Sequence, residues 1–404
     1  MLSTLIYRSH LVDDVPVKEL EQMVIKANSH NELYGVTGIL LFNGTHFFQL
    51  LEGPEEAVLS IYAAICRDPR HHNLVELLRD YAPARRFGNT GMELFDLRKY
   101  DKESVLQAVL DRGTSKYQLT YSDRALQFLR TFVEAREKEN YFEIPPADYW
   151  DFISDDTSLS QPEALATEAE TFSVSMQPII DPFSCQTDSL EALIQPVCEG
   201  SPLDDSSALS RDKIYRNDLQ SKKAAFALAK KLGIKAQTLS VNLLPMSLVM
   251  VPNAVNFLLS EIEANGLVPE QIVVEITENE VISRIEEVET AIKQLKAAGI
   301  SLAIDNFGAG YAGLSLLVQF QPDRVKIDHT IIRDVHKSGP KQAIVQAIIK
   351  CCSSLEICVI ATGVEKPEEW MWLEAAGICN FQGDLFARPK LNGIPAVAWP
   401  EKIN

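Results

Sequence analysis

The stretch that most constrains the fold is Val36 to Gly53, VTGILLFNGTHFFQLLEG. Two runs of branched and aromatic residues flank Asn43-Gly44, a dipeptide that tolerates the positive φ of a tight type I′ turn. The stretch therefore predicts a β-hairpin that turns at Asn43-Gly44. In the second arm, the two-residue period of a strand places Gln49 on one face with the large apolar side chains of Phe47 and Leu51.

Gln49 needs hydrogen-bond partners in such a position, because a buried amide without them costs ~1–3 kcal/mol. The backbone, a neighbouring side chain or a bound ligand can supply them, so a satisfied core glutamine and a ligand-binding glutamine both remain open. Two further polar groups stand near strand ends. Tyr7 shares a strand face with Leu5, and Asn31 follows a predicted amphipathic helix that ends at Ser29-His30.

Composition narrows the class of protein. The 404 residues suffice for two or three domains. No apolar run reaches the ~18 residues of a membrane span and no signal peptide is evident, so we expect a cytoplasmic protein that binds no membrane. Seven scattered cysteines fit reduced thiols rather than a structural metal site. A net charge of −18 disfavours direct nucleic-acid binding, so any effect on DNA should pass through another protein.

The first domain follows the order βαββαββ. A strand at 3–8, a helix at 16–31, the hairpin, a helix that begins at 54–56 and strands near 74–81 and 91–98 predict a ferredoxin-like sandwich with two helices on one face of a sheet. Helices at 103–112 and from 122 to about 140 are predicted to cap the other face and to relay a signal to the next domain. A homodimer contact through these helices is the alternative.

The second domain is predicted to be a TIM-like (β/α)8 barrel. From Glu139 to Ser210 the chain has no lysine or arginine, which marks an acidic linker. The predicted limits are 1–98, 99–142 for the cap helices, 143–171 for the linker and 172–404. Strands then alternate with helices. They are expected near 172–179, 188–194, 237–243, 271–276, 300–305, 323–327, 357–361 and 378–382.

Polar residues stand at the expected carboxyl ends of the barrel strands, where chemistry occurs in this fold. Three carboxylates with asparagine, lysine and glutamine neighbours are compatible with a divalent-cation site, and a solvated polar rim is the alternative. The residues are Glu191, Asn242, Glu275, Asp305, Lys326, Thr362 and Gln382.

The first domain resembles a BLUF domain, a blue-light sensor that holds FAD. The resemblance covers about residues 1–140 and rests on the motifs LIYRS, VTGILL, FFQLLEG, DPRH and RRFGNTGMEL. It implies that Tyr7, Asn31 and Gln49 surround the flavin ring, that Met92 lies near Gln49, and that Arg70 and His71 contact the ribityl or phosphate part. Core packing for Met92 and a solvated loop for Arg70 and His71 are the alternatives.

The second domain resembles the EAL domain, whose active members hydrolyse cyclic di-GMP with two Mg²⁺ or Mn²⁺ ions. The resemblance covers residues 172–400 and implies metal ligands at Glu191, Asn242, Glu275 and Asp305, with Lys326 retained. It rests on QPI, EAL, VNL, EITE, DNFGAG, KID, ATGVE and QG, which begin at Gln177, Glu191, Val241, Glu275, Asp305, Lys326, Ala361 and Gln382.

Three positions depart from the active EAL pattern. Gln195 replaces an arginine, Asn306 replaces the second aspartate of DDFG, and Thr362 replaces the first glutamate of EGVE. Glutamine cannot clamp a phosphate with charge, asparagine weakens the second metal position, and threonine supplies no carboxylate. Loss of one general acid or base alone typically costs ~10²–10⁴ in rate. We therefore expect a degenerate domain that does not hydrolyse cyclic di-GMP and binds it poorly.

A BLUF domain joined to a degenerate EAL domain resembles the light-regulated antirepressors. This resemblance implies that light lets the EAL part bind a MerR-type transcriptional repressor and release it from its operator. The acidic charge suits a partner with a basic DNA-binding surface. The alternative of the same architecture is a light-activated cyclic di-GMP phosphodiesterase.

Overall fold

The computed structural model describes residues 1–12, 17–81, 85–87, 91–112, 124–134, 142–154, 172–197, 211–234, 236–278, 282–310 and 312–403. The chain divides into two compact units. The first contains Met1–Ile144 with Asp334–Ile344, and the second contains Pro145–Arg333 with Val345–Asn404. Each unit has its own sheet, so the two domains predicted from the sequence are present.

The first unit has the predicted βαββαββ order, followed by two helices. Its sheet has the strand order β4-β1-β3-β2-β5, in which β5 runs parallel to β2 and the other neighbours are antiparallel. The elements are β1 (Leu2–Leu11), α1 (Val17–Leu33), β2 (Thr37–Phe42), β3 (His46–Pro54), α2 (Glu55–Ile65), β4 (His71–Tyr81), β5 (Glu93–Asp96), α3 (Lys102–Asp111) and α4 (Arg124–Glu134).

Helices cover both faces of this sheet. On one face, α2 packs through Val58 and Ile61, and α1 packs through Met23, Val24 and Ala27. The opposite face packs against α3 and α4, as predicted. The side chains that form this second core are apolar and buried, and they include Ile6, Phe48, Leu50, Val105, Val109, Leu129, Phe132 and Val133.

The hairpin forms, but its turn lies one residue later than predicted. The Asn43 N–H donates to His46 O at 3.2 Å, so Gly44 and Thr45 are the central residues. Gly44 adopts the positive φ of +111°, whereas Asn43 does not have positive φ. The Asn43 side chain instead accepts hydrogen bonds from the backbone N–H groups of Thr45 and His46 at 3.1 and 2.8 Å. This side-chain cap keeps Asn43 opposite His46, directly after β2, and moves the turn forward.

Helix α1 is also longer than expected. It continues to Leu33, so Asn31 lies within its last turn rather than after its end. The Asn31 carbonyl accepts from the N–H groups of Tyr34 and Val36 at 3.2 and 2.8 Å, and Gly35 between them has φ +62°. A glycine in the left-handed region is a common way to end a helix. Here it turns the chain directly into β2.

The second unit begins with a strand, β6 (Trp150–Ser154), which lies inside the segment predicted as a linker. A closed eight-stranded barrel follows, because β14 pairs back onto β7. Its first strand is antiparallel to both neighbours, and a short turn rather than a helix joins it to the second. The barrel strands are β7 (Phe172–Asp181), β8 (Gln186–Pro196), β9 (Thr238–Asn242), β10 (Ile272–Thr277), β11 (Ser301–Phe307), β12 (Arg324–Ile327), β13 (Cys358–Ala361) and β14 (Asn380–Phe381).

The strands match the predicted positions within a few residues. Two more strands, β15 (Lys390–Leu391) and β16 (Ala398–Lys402), follow the barrel; β15 pairs with β7 and β16 pairs with β6. The Trp150 and Phe152 rings of β6 pack edge-on against Trp370. The helices of this part of the chain are α5 (Arg211–Leu232), α6 (Ser247–Met250), α7 (Ala254–Ala264), α8 (Ile285–Ala297), α9 (Gly313–Phe320), α10 (His329–Ile332), α11 (Gly339–Ser354) and α12 (Pro367–Ala375).

Candidate functional site

A chain of hydrogen bonds crosses the face of the first sheet that carries α1 and α2. Tyr7 on β1 lies directly opposite Gln49 on β3, and its hydroxyl donates to Gln49 Oε1. At the other end of the amide, Gln49 Nε2 donates to Met92 Sδ at 2.6 Å. Tyr7 belongs to the apolar cluster under α2, and Met92 belongs to the one under α1. The amide therefore joins two otherwise separate clusters.

Burial keeps the Tyr7 hydroxyl protonated in this series of hydrogen bonds. The exposed fractions of Tyr7, Gln49 and Met92 are 1%, 3% and 8%. Burial, with a smaller contribution from Tyr62, raises the pKa of the Tyr7 hydroxyl well above its usual value. The phenol is thus a proton donor throughout the neutral range. The thioether of Met92 has no proton to give, so the amide of Gln49 has one preferred orientation between its two neighbours.

Asn31 contributes a side-chain amide near the end of α1. Its side chain is buried, and Nδ2 has no hydrogen-bond partner among the described residues. An unsatisfied buried N–H₂ group costs about 1–3 kcal/mol unless a ligand accepts from it. A flavin ring carries carbonyl oxygens that accept such bonds. Asn31, Tyr7 and Gln49 therefore fit a flavin on this face of the sheet.

The loop between α2 and β4 holds the two residues predicted for the distal part of the cofactor. Arg70 is exposed and forms an ion pair with Asp68. The hydrogen bonds that Arg70 donates lower the pKa of Asp68 to about 2. His71 is half-buried, and its Nδ1 lies 2.9 Å from Ser9 Oγ. Burial lowers the pKa of His71, so the ring is neutral near pH 7. Arg70 supplies a positive charge and His71 a neutral ring at this end of the sheet.

A buried ion pair on the opposite face of the same sheet was not found from the sequence. Glu52 on β3 is fully buried, and its carboxylate accepts from Arg86 Nη1 at 3.3 Å, Thr4 Oγ1 at 3.1 Å and the Phe87 N–H at 3.0 Å. These bonds fasten residues 85–87 to the sheet. The FFQLLEG motif contains Glu52, and an acidic residue inside an apolar strand is the signal that could have revealed the pair.

In the barrel, three carboxylates converge on one lysine. Lys326 Nζ on β12 donates to Glu191 Oε2 and to Glu275 Oε2, both at 2.7 Å, and lies 3.7 Å from Asp305 Oδ1. Lys326 and Glu275 are each 1% exposed, and Glu191 is 5% exposed. The four groups carry a net charge of −2 when all are ionised. This charge of −2, which remains after Lys326 has balanced one of the three carboxylates, suits a divalent cation.

Two amides complete this cluster. Asn242 at the end of β9 donates from Nδ2 to Glu191 Oε1 at 2.9 Å, and Gln382 donates from Nε2 to Glu191 Oε2 at 2.6 Å. The structure therefore brings together all four predicted metal ligands, Lys326 and Gln382. Because Asn242 Nδ2 donates to Glu191, the side-chain oxygen is the atom of Asn242 that can bind a cation.

The electrostatics of the carboxylates differ. Burial opposes the ionisation of Glu191. The charge of Lys326 and the hydrogen bonds that the Glu191 carboxylate accepts outweigh burial, so the pKa of Glu191 is lowered. Burial raises the pKa of Glu275 to about 7, because the nearby charges of Glu191 and Asp305 offset the attraction of Lys326. Burial likewise raises the pKa of Asp305. A bound dication would favour the charged form of all three.

The three departures from the active EAL pattern have clear structural consequences. The hydroxyl of Thr362 donates to the carbonyl of Ile327 at 2.7 Å and so completes a backbone contact. Asn306 follows Asp305 in the left-handed region, at φ +53°, which asparagine tolerates well. Gln195 is exposed near the end of β8. None of the three supplies the charge that the active pattern places at its position.

Glu278 is a positioning residue to which the sequence reasoning gave no role. It is buried, and its carboxylate accepts from the N–H groups of Gly308 at 2.6 Å and Gly313 at 2.7 Å. A Cβ at Gly313 would lie 2.8 Å from Glu278 Oε1, so the close approach needs glycine. Glu278 thereby holds the loop that follows Asp305 and Asn306. The EITE motif contained it, but a motif does not show what its last residue binds.

Comparison with known proteins decides the family. The family model described as "Sensors of blue-light using FAD" (BLUF) matches residues 2–93, and the model described as "EAL domain" matches residues 160–389. The "Blue light- and temperature-regulated antirepressor BluF" of Escherichia coli (strain K12) is 61% identical over 403 residues, which is 100% of each chain. The chain belongs to the BLUF–EAL family.

Solved structures of the same architecture agree with this BLUF–EAL protein over its whole length. The "Klebsiella pneumoniae BlrP1 pH 6 manganese/cy-diGMP complex" superimposes with a TM-score of 0.90 at 43% identity and covers 100% of both chains. The structure titled "Klebsiella pneumoniae BlrP1 with FMN and cyclic diGMP, no metal ions" gives a TM-score of 0.84 at 39% identity, again over 100% of both.

The predicted architecture is thus confirmed. This BLUF–EAL protein is a photoreceptor with a flavin-binding BLUF domain, and its EAL domain belongs to the family of cyclic di-GMP phosphodiesterases. Within the part of the chain that the structure describes, every helix is too short or too polar to cross a membrane.

Proposed function

We propose that this protein is a blue-light receptor that binds FAD and whose degenerate EAL domain acts as a light-controlled protein-binding module. In this proposal the module antagonises a MerR-type transcriptional repressor. The observation that carries the photosensory part is the series of hydrogen bonds from Tyr7 through Gln49 to Met92, together with the buried Nδ2 of Asn31, which has no hydrogen-bond partner among the described residues. Such an amide can report a local chemical event as a change of hydrogen bonding.

The proposed switch is a change in the Gln49 amide. A bound flavin supplies an electron and proton acceptor when it absorbs blue light. Tyr7, which is held protonated by burial, is the nearest phenol to the amide and is the proposed donor. Rotation or tautomerisation of Gln49 would bring a donor towards Tyr7 and an acceptor towards Met92. Because the Met92 thioether cannot donate, the bond from Gln49 to Met92, the residue just before β5, would be lost.

FAD is the proposed form of the flavin. The matched family is described as using FAD, and the loop before β4 offers the charge of Arg70 and the ring of His71, which we assign to the distal part of the cofactor. One solved structure of the relative BlrP1 is described with FMN. A direct test must therefore distinguish FAD from FMN. Flavin released from the protein by heat and separated by chromatography should elute as FAD. Elution as FMN would correct this assignment and leave the proposed switch untouched.

The EAL domain is proposed to bind protein rather than to catalyse hydrolysis. Thr362 directs its hydroxyl to a backbone carbonyl, and the position supplies no carboxylate. Gln195 and Asn306 each replace a charged group of the active pattern. A net charge of −18 favours a partner with a basic surface, which DNA-binding repressors have. The antirepressor name of the 61% identical relative supports the same assignment.

The experiment is a titration of a candidate MerR-type repressor, free and on its operator, with dark and illuminated protein at two salt concentrations. We expect an affinity difference of about 5–150-fold between the two forms, equivalent to ~1–3 kcal/mol of coupling. The Gln49→Leu variant is the control, because it should have one affinity in both conditions. Equal affinity of the wild type in dark and light would refute the antirepressor proposal. Light-dependent binding whose affinity is independent of the salt concentration would refute only the electrostatic part of the proposal.

A second candidate function is a light-activated cyclic di-GMP phosphodiesterase. The observation in its favour is the retained cluster of Glu191, Glu275 and Asp305 around Lys326, which suits a divalent cation. BlrP1 was solved as a manganese and cyclic di-GMP complex. Turnover of cyclic di-GMP by the purified protein with Mg²⁺ or Mn²⁺, in dark and light, separates the two candidates. Turnover that rises with light would make this protein an enzyme.

A further inference from the structure

Histidines are concentrated at one end of strands β1, β3 and β4 of the first sheet. Three of them have no role in the proposed light-sensing mechanism. Of the seven histidines in the chain, His10, His46 and His72 occupy paired positions on β1, β3 and β4. The rings of His10 and His46 have centroids 4.6 Å apart, and those of His10 and His72 stack at 4.4 Å. His10 and His46 are in register with each other.

This cluster lies on the opposite face from the flavin site. Side chains alternate along a strand, so His10 shares a face with Ile6, and His46 shares one with Phe48. Ile6 and Phe48 belong to the core beneath α3 and α4. Tyr7 and Gln49 point the other way, towards α1 and α2. A ligand at the histidines would therefore be separate from the flavin.

A carboxylate closes the cluster from a distant part of the chain. Glu143 Oε1 lies 2.9 Å from His46 Nε2 and 2.9 Å from His10 Nδ1. The contact with His46 is a hydrogen bond. The contact between His10 and Glu143 does not have the geometry of a hydrogen bond. Among the described residues, the buried Nδ1 of His10 has no hydrogen-bond partner. One oxygen thus faces two ring nitrogens, one of which is unsatisfied.

We propose that His10, His46 and Glu143 form a binding site for a first-row transition-metal dication, with Zn²⁺ as the expected ion. The two ring nitrogens and the carboxylate oxygen all lie within 4.8 Å of one another. Zn²⁺ binds nitrogen and oxygen at ~2.0–2.2 Å, which places tetrahedral ligand atoms roughly 3.4 Å apart. Glu143 has a 48% exposed side chain and needs to withdraw by about half an ångström to admit the ion.

The electrostatics allow such an ion at neutral pH. His46 Nδ1 lies 2.9 Å from Thr45 Oγ1, so the neutral ring with its proton on Nδ1 donates to that hydroxyl and offers the lone pair of Nε2 to an ion. Arg8 acts on the same ring as a positive charge and opposes a cation. The single carboxylate offsets that charge. His72 stacks on the His10 ring and limits its rotation, as side chains behind metal ligands commonly do.

A metal here would have a structural effect on the photosensor unit. Glu143 follows the cap helices in the sequence and stands just before Ile144, where the first unit's main segment ends. His10 and His46 belong to the central strands β1 and β3, which also carry Tyr7 and Gln49. The ion would fasten the segment that leaves this unit to the two strands that carry the light-sensitive pair.

The test uses the full-length flavin-loaded protein after treatment with a chelator. Zn²⁺ is titrated in competition with a coloured chelator into the wild type and into Glu143→Gln and His46→Asn. The matched control is His30→Asn, which removes an exposed imidazole whose ring contacts that of Tyr34, between α1 and β2. The flavin absorption spectrum confirms that each variant is folded. The carboxylates of the barrel remain in all four proteins, so any Zn²⁺ held there is common to them.

We expect one equivalent of Zn²⁺ whose affinity falls at least tenfold in Glu143→Gln and in His46→Asn and is unchanged in His30→Asn. Zn²⁺ should also raise the thermal midpoint of the wild type and of His30→Asn, with no such rise in the other two. Mg²⁺ should not replace it, because imidazole is a poor ligand for that ion. The same Zn²⁺ affinity in all four proteins, or no tight binding by the wild type, would overturn the proposal.

Discussion

Tyr7 and Gln49 lie directly opposite each other on antiparallel strands, and the hydroxyl of Tyr7 donates to the side-chain oxygen of Gln49. The same amide donates from its nitrogen to Met92 Sδ at 2.6 Å. A protonated phenol on one side and a pure acceptor on the other define which way the amide points. One side chain therefore connects Tyr7 on β1 to Met92, the residue that directly precedes β5.

We expect Gln49→Leu to retain flavin and to lose the small reversible red shift that illumination should produce in the wild type. Leucine keeps the volume between Phe47 and Leu51 but offers no hydrogen bond. Absorption spectra before and after blue light measure the shift. Tyr7→Phe should lose it as well, because it removes the proposed donor.

Tyr62→Phe is the matched control for the phenol. Its ring centroid is 5.4 Å from that of Tyr7, but Gln49 accepts its bond from Tyr7. The control should keep the shift. A normal shift in Gln49→Leu would remove this residue from the mechanism.

Asn31→Ala should weaken flavin binding by about 5–150-fold, equivalent to ~1–3 kcal/mol, because it removes the buried N–H₂ group that has no other partner among the described residues. Fluorescence titration of the flavin-free protein with FAD measures the change. Ser29→Ala is the control on the same helix, since Ser29 is exposed and bonds to the Ile25 carbonyl. Equal affinities for both variants would exclude a bond from Asn31 to the cofactor.

Strand periodicity predicted which apolar side chains share a face with Tyr7 and with Gln49. The resemblance to the BLUF motifs supplied the prediction that these two residues belong to one site. The end of α1 and the position of the turn did not follow, because they depend on side-chain and backbone bonds at Asn43 and Gly35. Strand β6 was hidden for a different reason. Its partner β16 is nearly the whole second domain away in the chain, and the acidic composition around it indicated a linker.

Lys326→Met should destabilise the barrel by about 3–5 kcal/mol, because it leaves buried carboxylates without their cation. Urea unfolding followed by far-UV circular dichroism measures the change. Lys293→Met is the control, since its ammonium pairs with Glu289 at the surface and is 72% exposed. Added Mg²⁺ or Mn²⁺ should stabilise Lys326→Met more than the wild type. An equal effect of the ions on both proteins would argue that no dication enters this cluster.

The pH dependence of the barrel should contain a contribution from Glu275. Its pKa is raised to about 7 by burial, so the stability that depends on its neutral form is complete below the unfolded pKa and is lost as the pH rises through about 7. Glu275→Gln keeps an acceptor for Lys326 but cannot ionise. Between pH 5 and pH 8 the wild type should therefore lose more unfolding free energy than Glu275→Gln. Parallel pH profiles would show that Glu275 stays ionised throughout.

The barrel site was predictable in its membership but not in its bonding. Strand ends gave Glu191, Glu275 and Asp305, because polar residues gather where parallel strands finish. The sequence could not show that Lys326 would lie between two of them, since its reach depends on the barrel radius and on rotamers. The same limit hid Glu278, whose partners are backbone N–H groups of a later loop.

The wild type should show no appreciable hydrolysis of cyclic di-GMP, and the combined variant Gln195→Arg, Asn306→Asp and Thr362→Glu should gain activity. The three changes restore a phosphate clamp, a second-metal ligand and a carboxylate. Thr362→Val is the control, because it removes the bond to the Ile327 carbonyl without adding charge. Product formation with Mn²⁺ is followed by chromatography. Activity in the wild type equal to that of the triple variant would show that these departures do not impair the site.

Signal transmission to the cap helices should depend on Phe132. Its ring on α4 packs against that of Phe48 on β3 with centroids 5.3 Å apart, and Phe48 is the residue next to Gln49 on the opposite face of the strand. Phe132→Leu should retain the light-induced red shift, because it leaves the flavin face intact. The ratio of repressor affinities in light and dark should fall towards one, because the strand has lost its large contact with α4.

Phe42→Leu is the matched control, since Phe42 is equally buried but packs with Phe47 on the flavin side. The affinity ratio should remain that of the wild type in this variant, and thermal midpoints show that both proteins are similarly destabilised. If both variants lower the ratio alike, the coupling reflects general stability rather than the Phe48–Phe132 contact. If neither does, the signal leaves the sheet by another route, for which the loss of the Gln49–Met92 bond at β5 is the next element to test.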